Sequence, residues 1–492
     1  AKANYILILF SAFFDNCGYD NKYSALKEPV TIPVFIADSI LAPVVYTEQN
    51  DATLKLETIV GTLELPKFEN FTKGSLFMER LSYFIHEKAS YEVFKKNVLS
   101  KKLVRNEDEP VVRRLFDRLY VLHRSGKDSF WPIILRNSFA PVMIGNKFDY
   151  VVGNPPWIAW KSMSKRYRNG TLEIWKSYGI FEKNAYDKKT THDDFGMAVT
   201  YVSVDQYLKE GGSMAFLLPA SFLKSTKGGE GFRKFEIIRN GQNVPFSVET
   251  VHDFSNVKLF TIPTMAIKFI KGNKMEYPMN AYYKFIQKGK KRKIDPHFTW
   301  AQVSSFLSVK KEAAKPVDAR DKQSAWLTLD ASEMPFADKV LDPTLPRCYK
   351  GRKGIEPLGA KGVYILKTPQ SVEEGRLRIV NDLSRQKRAD IKKKGEHSDV
   401  IEEKFVFPML GGRNIGKWVV KSNEFMLVPH SEKFVYGLPE DVLSNEAPDT
   451  YCWLTYFHDE LLASREKNGK FFNPKIHPFY RLDNIGPYTF AP

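Results

Sequence analysis

The chain has 492 residues, enough for about three domains, and its 43% hydrophobic and 14% aromatic content excludes a disordered or low-complexity protein. Three scattered cysteines, Cys17, Cys348 and Cys452, exclude a disulfide framework or a cysteine-rich zinc site and favour a reducing compartment. The net charge of +17 favours a polyanionic partner, nucleic acid first, although many basic proteins bind none.

The N-terminal part of the chain is predicted to be largely helical. Apolar spacing predicts a helix over residues 1–15, followed by a short buried strand over 34–37 that ends at Asp38. Residues 64–138 show apolar side chains three and four positions apart, which predicts an inserted helical cap. No apolar run reaches the length of a membrane span, and residues 5–14 are too short for a signal peptide. These features predict a soluble, cytoplasmic protein.

The middle of the chain alternates strands and helices. Residues 148–153 predict a buried strand, and a helix at about 193–209 is expected to end at Gly211-Gly212. The next predicted strand covers residues 213–218. A strand, a helix and a second strand in this order are typical of a parallel sheet.

Two further strands are predicted at residues 248–254 and 264–270, and their short separation indicates a closing antiparallel pair. A run of basic residues at 287–293 is a solvated loop or a phosphate contact, and it marks the predicted domain boundary. Beyond it, helical and strand signals mix with many Gly and Pro turns.

The segment Asn154-Pro155-Pro156-Trp157 follows the predicted strand at 148–153 directly. Ligand sites of open α/β sheets lie at the carboxyl ends of strands. Consecutive prolines hold the chain extended and remove backbone donors, so the Asn154 side-chain oxygen and the Pro155 carbonyl can converge on an exocyclic NH2 group. Trp157 offers a flat face for a purine. The alternative is an ordinary Asn-Pro-Pro turn.

This segment resembles the catalytic motif Asn/Asp-Pro-Pro-aromatic of N6-adenine DNA methyltransferases of the restriction-modification type, in which Trp is less common than Tyr or Phe. The resemblance implies S-adenosylmethionine as cofactor and no metal, with Asn154, Pro155, Pro156 and Trp157 as catalytic residues. Residues 211–223 look like the strand and loop that follow this motif. Residues 257–267 resemble the segment whose aromatic residue, here Phe260, packs on the flipped target base. Phe260 could equally be an ordinary core aromatic.

Residues 33–40 are similar to the family's third cofactor-side motif. That likeness implies cofactor binding by Asp38, Ser39 and Ile40, with the acidic residue bonded to the adenine of the methyl donor. Asp38 could also simply cap the helix that follows its strand.

The C-terminal part resembles target-recognition domains of such methylases in residues 349–356, 407–415 and 479–490. Arg352, Lys353 and Arg413 lie among glycines there, where guanidinium groups and backbone amides can approach phosphates or guanine edges. The resemblance therefore implies that these three residues bind DNA. The same loops could also be plain turns.

Two features depart from the family pattern. The glycine-rich loop that holds the donor's methionine part, and the acidic residue that holds its ribose, would both precede Ala1. The glycine cluster at residues 227–231 follows the wrong strand for that role and is predicted to be a mobile loop. We therefore expect the chain to be part of a larger methyltransferase.

The expected fold is α/β: a partial Rossmann-like methyltransferase sheet, mainly parallel with an antiparallel closing strand, plus a C-terminal mixed α+β target-recognition domain. The catalytic part is expected over residues 1–275, with a helical insertion at about 60–140, and the recognition part over 290–492. The expected function is site-specific adenine-N6 methylation of double-stranded DNA in a restriction-modification or phage-defence system. Possible protein partners are an N-terminal methylase or nuclease portion or a specificity subunit. The alternatives are a non-catalytic DNA-recognition subunit and a methyltransferase acting on RNA or protein.

Overall fold

A computed structural model of the chain describes residues 34–35, 53–58, 61–126, 131–144, 148–181, 192–239, 242–257, 259–289, 294–295, 297–342, 344–346, 348, 351–466 and 472–490. The chain divides into two compact units, Ala1–Leu345 and Pro346–Pro492. The predicted helix over residues 1–15 lies outside the described residues, as do Asp38, Ser39 and Ile40. Of the strand predicted over 34–37, only Val34 and Phe35 are described, and neither lies in a strand.

The first unit begins with a hairpin and a helical segment. Antiparallel strands β1 (Thr53–Thr58) and β2 (Gly61–Pro66) precede helices α1 (Phe71–His86), α2 (Tyr91–Ser100), α3 (Glu109–Arg124) and α4 (Trp131–Ile144). Helix α1 starts at Asn70, whose side chain accepts a hydrogen bond from the Lys73 backbone at 3.0 Å. The apolar faces pack into one core around Phe77, Leu81, Phe94 and Phe116. The helical prediction is confirmed from Phe71 onward, but residues 64–66 belong to β2.

The central elements follow the predicted strand, helix and strand order. Strand β3 (Phe148–Gly153) and helices α5 (Lys165–Ser177) and α6 (Phe195–Gln206) precede strand β4 (Leu208–Pro219), which lies parallel to β3. All residues of α6 from Gly196 to Gln206 are buried, including the polar side chains of Asp205 and Gln206. The parallel pair and both strand positions are confirmed. The predicted burial of the first strand is wrong, because Tyr150 and Val152 of β3 are 77% and 83% exposed.

The predicted helix end at Gly211-Gly212 is wrong. Helix α6 ends at Gln206, and β4 already begins at Leu208, so both glycines lie inside the strand. The pairing of β3 with β4 shifts register between Phe148 and Tyr150, and Gly211 has a φ of +75°, which side chains rarely adopt. The two glycines therefore accommodate an irregular strand start rather than a helix cap.

The sheet continues well beyond the predicted closing pair. After α7 (Ser221–Lys224) come β5 (Glu236–Arg239), β6 (Gln242–Asn256), β7 (Thr264–Lys271), β8 (Met279–Gln287), α8 (Trp300–Ser305), β9 (Leu307–Pro316), β10 (Trp326–Leu329) and α9 (Met334–Leu341). The sheet order is β10-β9-β8-β6-β7-β4-β3, with β5 on β6. Since β8, β9 and β10 join this sheet, the first unit ends at Leu345 rather than at residues 275–290.

The predicted α/β class is confirmed, and so is the antiparallel pairing of β6 with β7. Parallel pairing occurs between β3 and β4 and between β6 and β8, whereas the other neighbours in the described sheet are antiparallel. The described sheet is therefore mixed rather than mainly parallel. Its core contains the buried side chains of Trp175, Tyr201, Phe232 and Phe269.

The second unit is mixed α+β, as predicted for the C-terminal part. Its helices are α10 (Lys361–Tyr364), α11 (Ala389–Lys394), α12 (Glu440–Glu446), α13 (Pro448–Tyr456) and α14 (His458–Glu466). Its strands are β11 (Ile365–Leu366), β12 (Gln370–Glu373), β13 (Arg376–Val380), β14 (Ser398–Glu402), β15 (Val406–Pro408), β16 (Ile415–Gly416), β17 (Val419–Val420) and β18 (Phe425–Leu427). They form two three-stranded sheets and a separate hairpin.

The core of this unit surrounds Trp453, whose indole N–H donates to the Val363 carbonyl at 3.2 Å. Arg465 is also fully buried, and its guanidinium donates to the Arg481 carbonyl and the Tyr364 hydroxyl, both at 2.9 Å. These contacts tie α14 to the chain's C-terminal segment and satisfy a buried charged group through hydrogen bonds.

In the parts of the chain that the structure describes, no helix is both long enough and apolar enough to cross a bilayer. The same residues include no cluster of three or more His, Cys, Asp or Glu side chains suited to a metal ion.

Candidate functional site

The Asn154-Pro155-Pro156-Trp157 segment leaves the sheet where β3 ends. Gly153, the last residue of β3, pairs with Phe216 of the parallel strand β4. A Cβ at Gly153 would lie 2.9 Å from the Phe216 ring, so close packing requires glycine here. The prolines that follow lack backbone N–H groups and cannot extend the ladder. The segment therefore lies at the carboxyl end of a parallel strand pair, the usual place for a ligand in such sheets.

The Asn154 side chain is available to a ligand. Pro155 is buried, whereas Asn154 and Pro156 are exposed. The Asn154 side chain forms no hydrogen bond within the described part of the chain. Its carboxamide oxygen is therefore a free acceptor beside the buried Pro155.

Trp157 is held in place by a specific hydrogen bond. Its indole Nε1–H donates to the Leu217 carbonyl at 3.1 Å, and the side chain is half-buried. Leu217 is the residue of β4 directly after Phe216, which pairs with the last residue of β3. Phenylalanine has no N–H or O–H group to donate, and the hydroxyl group of tyrosine would lie at a different position from the indole N–H. This hydrogen bond gives a physical reason for tryptophan at the fourth position.

Phe260, which the family resemblance assigns to the target base together with Trp157, lies against the Trp157 ring. The ring centroids are 5.2 Å apart and the planes are tilted by 75°, an edge-to-face contact. Phe260 remains 45% exposed, so it is not an ordinary core aromatic. The loop after β6 thus brings a second aromatic ring to the end of β3.

A set of backbone contacts fixes the chain that follows Trp157. The Phe195 N–H donates to the Ile158 carbonyl, and the Trp160 N–H donates to the Asp193 carbonyl, both at 2.9 Å. Asp194 caps α6 through its side-chain contact with the Gly196 N–H at 2.9 Å. Burial raises the pKa of Asp194 to about 6. No local sequence pattern marks Asp193 or Asp194 as a neighbour of the site.

The glycine cluster at residues 227–231 is packed, so the prediction of a mobile loop is wrong. Gly228, Gly229 and Gly231 are buried, and the Gly229 N–H donates to the fully buried Asp193 carboxylate at 2.8 Å. A Cβ at Gly231 would lie 2.3 Å from the Gly179 carbonyl oxygen. The glycines allow backbone segments to approach closely, and Asp193 links their loop to the segment beside Trp157.

A buried ionic network lies further along the same edge of the sheet. Asp253 of β6 is fully buried and accepts hydrogen bonds from Lys224 Nζ at 2.7 Å, the Tyr282 hydroxyl at 2.5 Å and the Ser255 N–H at 2.8 Å. Burial acts to raise the pKa of Asp253, but the Lys224 charge and these hydrogen bonds outweigh it and lower the pKa.

This network connects the loops on either side of the aromatic pair. Lys224 ends α7, the helix that follows β4, and Asp253 lies near the end of β6, before the loop that carries Phe260. The Ala220 N–H also donates to the Pro263 carbonyl at 2.9 Å. Both loops are therefore anchored to the sheet and to each other.

In the second unit, the three segments predicted to bind DNA converge on one cleft of about 700 Å³. Its lining includes Gly354 and Ile355, residues 407–411, and Thr489 with Phe490. The predicted residues Arg352, Lys353 and Arg413 flank these positions in sequence and are exposed. Distant parts of the chain thus meet at one surface of this unit.

Each of the three basic residues already has a partner within the unit. The Arg352 guanidinium lies 4.2 Å from the centroid of the Tyr488 ring, and Lys353 is 3.8 Å from Glu356. Arg413 pairs with the largely buried Glu424. That carboxylate also accepts from Arg385 at 2.6 Å. Arg413 is therefore oriented by Glu424 rather than freely mobile.

The α/β sheet therefore carries the segment Asn-Pro-Pro-Trp at the carboxyl end of a parallel strand. Residues 68–260 match the family model described as "Eco57I restriction-modification methylase". The matched segment is similar to that family, and it contains both Asn154 and Phe260.

Relatives with curated descriptions are similar over a limited region. The Type II methyltransferases M.HincII and M.HindII of Haemophilus influenzae are each 30% identical to the chain over 150 residues. These matches cover 30% of this chain and 26% of each relative. The chain thus spans about a quarter of the length of the curated relatives it matches.

Solved structures of restriction-modification proteins align more weakly. The Type IIL restriction-modification enzyme MmeI in complex with DNA aligns with a TM-score of 0.29 and 11% identity, over 67% of this chain and 35% of that one. The methyltransferase subunit of a type I restriction-modification system from Streptococcus thermophilus aligns with a TM-score of 0.20 and 19% identity, over 40% of this chain and 37% of that one.

Proposed function

We propose that the protein containing this chain transfers a methyl group from S-adenosylmethionine to the N6 amine of adenine in double-stranded DNA, within a restriction-modification system. The observation that carries this proposal is the exposed, unpaired Asn154 side chain at the end of β3, next to the buried Pro155 and the aromatic pair Trp157 and Phe260. The match of residues 68–260 to a restriction-modification methylase family supports it.

In the proposed reaction, Asn154 and Pro155 recognise the target amine. An exocyclic NH2 group has two hydrogens to donate, and the Asn154 side-chain oxygen and the Pro155 carbonyl are two acceptors on one short, rigid segment. When both hydrogens are held, the nitrogen is drawn toward tetrahedral geometry and its lone pair would form the new N–C bond to the methyl group as the S–C bond of the donor breaks. The nitrogen would then release one proton to solvent. The protein contributes positioning and fixed dipoles, and these steps require no metal ion.

Trp157 provides the stacking surface for an adenine flipped out of the duplex. Extrusion costs a few kcal/mol, and stacking of about 1–3 kcal/mol together with the two hydrogen bonds offsets that cost. Because the Leu217 carbonyl fixes the indole, the ring plane is set before the base arrives. This preorganisation reduces the entropy lost on binding.

Phe260 is proposed to move when the base binds. A base stacked between two rings needs about 7 Å between them, twice the ~3.4 Å spacing of stacked bases. The present centroid separation of Phe260 and Trp157 is 5.2 Å, so a base cannot lie between the rings as they stand. We therefore expect the Phe260 loop to open and then close over the extruded purine.

S-adenosylmethionine would supply an electrophilic methyl group at this site. The residues proposed to hold it, Asp38, Ser39 and Ile40, lie outside the described residues, whereas the acceptor-side residues fit a flat aromatic amine. Two features fit such an amine. The unpaired side-chain oxygen of Asn154 can accept a hydrogen bond from it, and the half-buried Trp157 side chain can stack on its ring. No described residue is therefore assigned a role in binding the methyl donor.

DNA recognition is proposed for the cleft of the second unit and for Arg352, Lys353 and Arg413 at its borders. The overall charge of +17 supports a polyanionic partner. A further methylase or nuclease portion, or a specificity subunit, is proposed to complete the assembly, because the chain covers only 26% of its curated relatives.

The test is to identify which polymer accepts the methyl group. The full-length protein is incubated with tritiated S-adenosylmethionine and duplex DNA, RNA or protein, and the labelled product is digested and analysed by mass spectrometry. N6-methyladenine in DNA supports the proposal. Label in RNA or protein instead would show that the acceptor is wrong, and DNA binding without donor binding or transfer would show a recognition subunit.

A further inference from the structure

The hairpin formed by β16 and β17 is an unusual surface feature of the second unit. Ile415 pairs with Val420 and Gly416 with Val419, which leaves Lys417 and Trp418 at the tip. Within the described sheets, these strands pair only with each other. Trp418 is 91% exposed, and every residue from 415 to 421 is exposed. We call residues 415–421 the Trp418 hairpin.

An isolated hairpin of this kind lacks the usual sources of stability. Two-stranded hairpins are marginally stable in water, and this one presents Ile415, Trp418, Val419 and Val420 to solvent. Trp418 also has a φ of +64°, a left-handed conformation that costs free energy for a bulky residue. Exposed apolar clusters and strained residues are typical of binding sites. The features together indicate a surface completed by a partner.

The charges around the Trp418 hairpin indicate what that partner is. Residues 404–423 contain Lys404, Arg413, Lys417 and Lys421 but no Asp or Glu. Arg413 is paired with Glu424, whereas Lys417 and Lys421 form no ion pair in the described part of the chain. Two free ammonium groups therefore border an exposed indole, and this combination matches phosphates on either side of stacked bases.

We propose that the Trp418 hairpin enters a groove of duplex DNA, with Trp418 stacked at a base step and with Lys417 and Lys421 on flanking phosphates. The inference rests on the proposed function, because it takes DNA as the partner. Two-stranded ribbons fit into DNA grooves, and apolar side chains can wedge between base steps. Burial against bases would then compensate for the exposure and strain of Trp418.

A second copy of the chain is a poorer occupant of this surface. Contact between two identical hairpins would bring Lys417 and Lys421 of both copies together without any carboxylate between residues 404 and 423. Like charges in contact repel, and burying them unpaired is costly. An acidic protein partner also has the required charge, so its binding is one of the outcomes that the test below distinguishes.

The test measures the affinity of the full chain for labelled duplex DNA of mixed sequence over a range of salt concentrations. Trp418→Ala should weaken binding about tenfold, by analogy with the loss of one base-stacking contact. Trp300→Ala is the matched control, because Trp300 is 69% exposed but lies in the first unit. It should bind as the wild type does.

Lys417→Gln and Lys421→Gln should each reduce the slope of log affinity against log salt by about 0.9, the value for one lost phosphate contact. Lys433→Gln, an exposed lysine outside the hairpin, is the control and should leave the slope unchanged. Tryptophan fluorescence should also be quenched on DNA binding, and a measurable part of that quenching should be lost in Trp418→Phe.

The outcomes separate this inference from the proposed function. If the wild type binds DNA but Trp418→Ala binds equally well and leaves the quenching intact, the Trp418 hairpin is not a DNA contact. If Trp418→Ala alters self-association or binding of an acidic protein instead, the partner class is wrong. If the wild type binds no duplex DNA at all, both the proposed function and this inference fail.

Discussion

Replacing Asp253 should destabilise the first unit in a pH-dependent way. Asp253 is fully buried and accepts hydrogen bonds from Lys224, Tyr282 and Ser255. In Asp253→Asn the amide oxygen can still accept from a neighbour, but the negative charge facing Lys224 is lost. Hydrogen bonds to charged groups contribute about 1.5–3 kcal/mol, so we expect Asp253→Asn to cost about 2 kcal/mol at neutral pH.

Asp253→Ala should cost more, about 3–5 kcal/mol, because it leaves the Lys224 ammonium and the Tyr282 hydroxyl without their acceptor. Asp149→Asn is the matched control on β3. Its ion pair with Lys209 is exposed, and such pairs contribute less than about 1 kcal/mol.

The pH dependence follows from the lowered pKa of Asp253. A carboxyl whose pKa is lower in the folded state contributes stability above its unfolded pKa, about 3.9, and loses it as the pH falls through the folded value. The difference in unfolding free energy between wild type and Asp253→Asn should therefore be constant near neutral pH and shrink below about pH 4.

The assay is urea unfolding followed by far-ultraviolet circular dichroism at a series of pH values, with the slope in urea compared between variants. A neutral-pH difference no larger than that of Asp149→Asn would refute the assigned network. A difference that persists unchanged below pH 4 would show that its origin is not the ionised carboxylate.

Trp157→Phe keeps a ring but loses the hydrogen bond to Leu217, so urea unfolding should show a free energy of unfolding that is lower by about 1 kcal/mol. Because the ring remains, methyl transfer by the full-length protein should fall less than in Trp157→Ala. Phe260→Ala should raise KM for DNA in steady-state methylation assays and leave donor binding unchanged; an unchanged KM would argue against a contact with the base. Gly231→Ala should destabilise the fold by about 1–3 kcal/mol, measured as a lower urea midpoint, because its Cβ would meet the Gly179 carbonyl oxygen at 2.3 Å.

Local sequence patterns were sufficient to predict the two strands nearest the site. The apolar runs at residues 148–153 and 213–218 predict strands, and both strands form in the sheet, although β3 is largely exposed. The segment Asn154-Pro155 breaks the first run clearly. The meeting of Trp157 and Phe260 was expected only from the family resemblance, since no local pattern relates residues that far apart. The roles of these residues stay predictions.

Longer-range features could not be predicted from local patterns. The pairing of β8 with β6 and β9 depends on which distant strands meet, so the first unit was expected to end too early. The loop at residues 227–231 was wrongly predicted to be mobile. It is held by a hydrogen bond to Asp193, which is remote in sequence and so leaves no local signal. Glycine there reflects close backbone approach rather than freedom of movement.

The most direct test of the central claim is methyl transfer by Asn154→Ala in the full-length protein, measured as tritium incorporated into duplex DNA alongside DNA affinity. If Asn154 accepts a hydrogen bond from the adenine amine, Asn154→Ala should abolish methyl transfer while DNA affinity stays close to that of the wild type. Asn154→Asp keeps an acceptor oxygen and should retain part of the activity. Tritium incorporation by Asn154→Ala near the wild-type level would contradict the account.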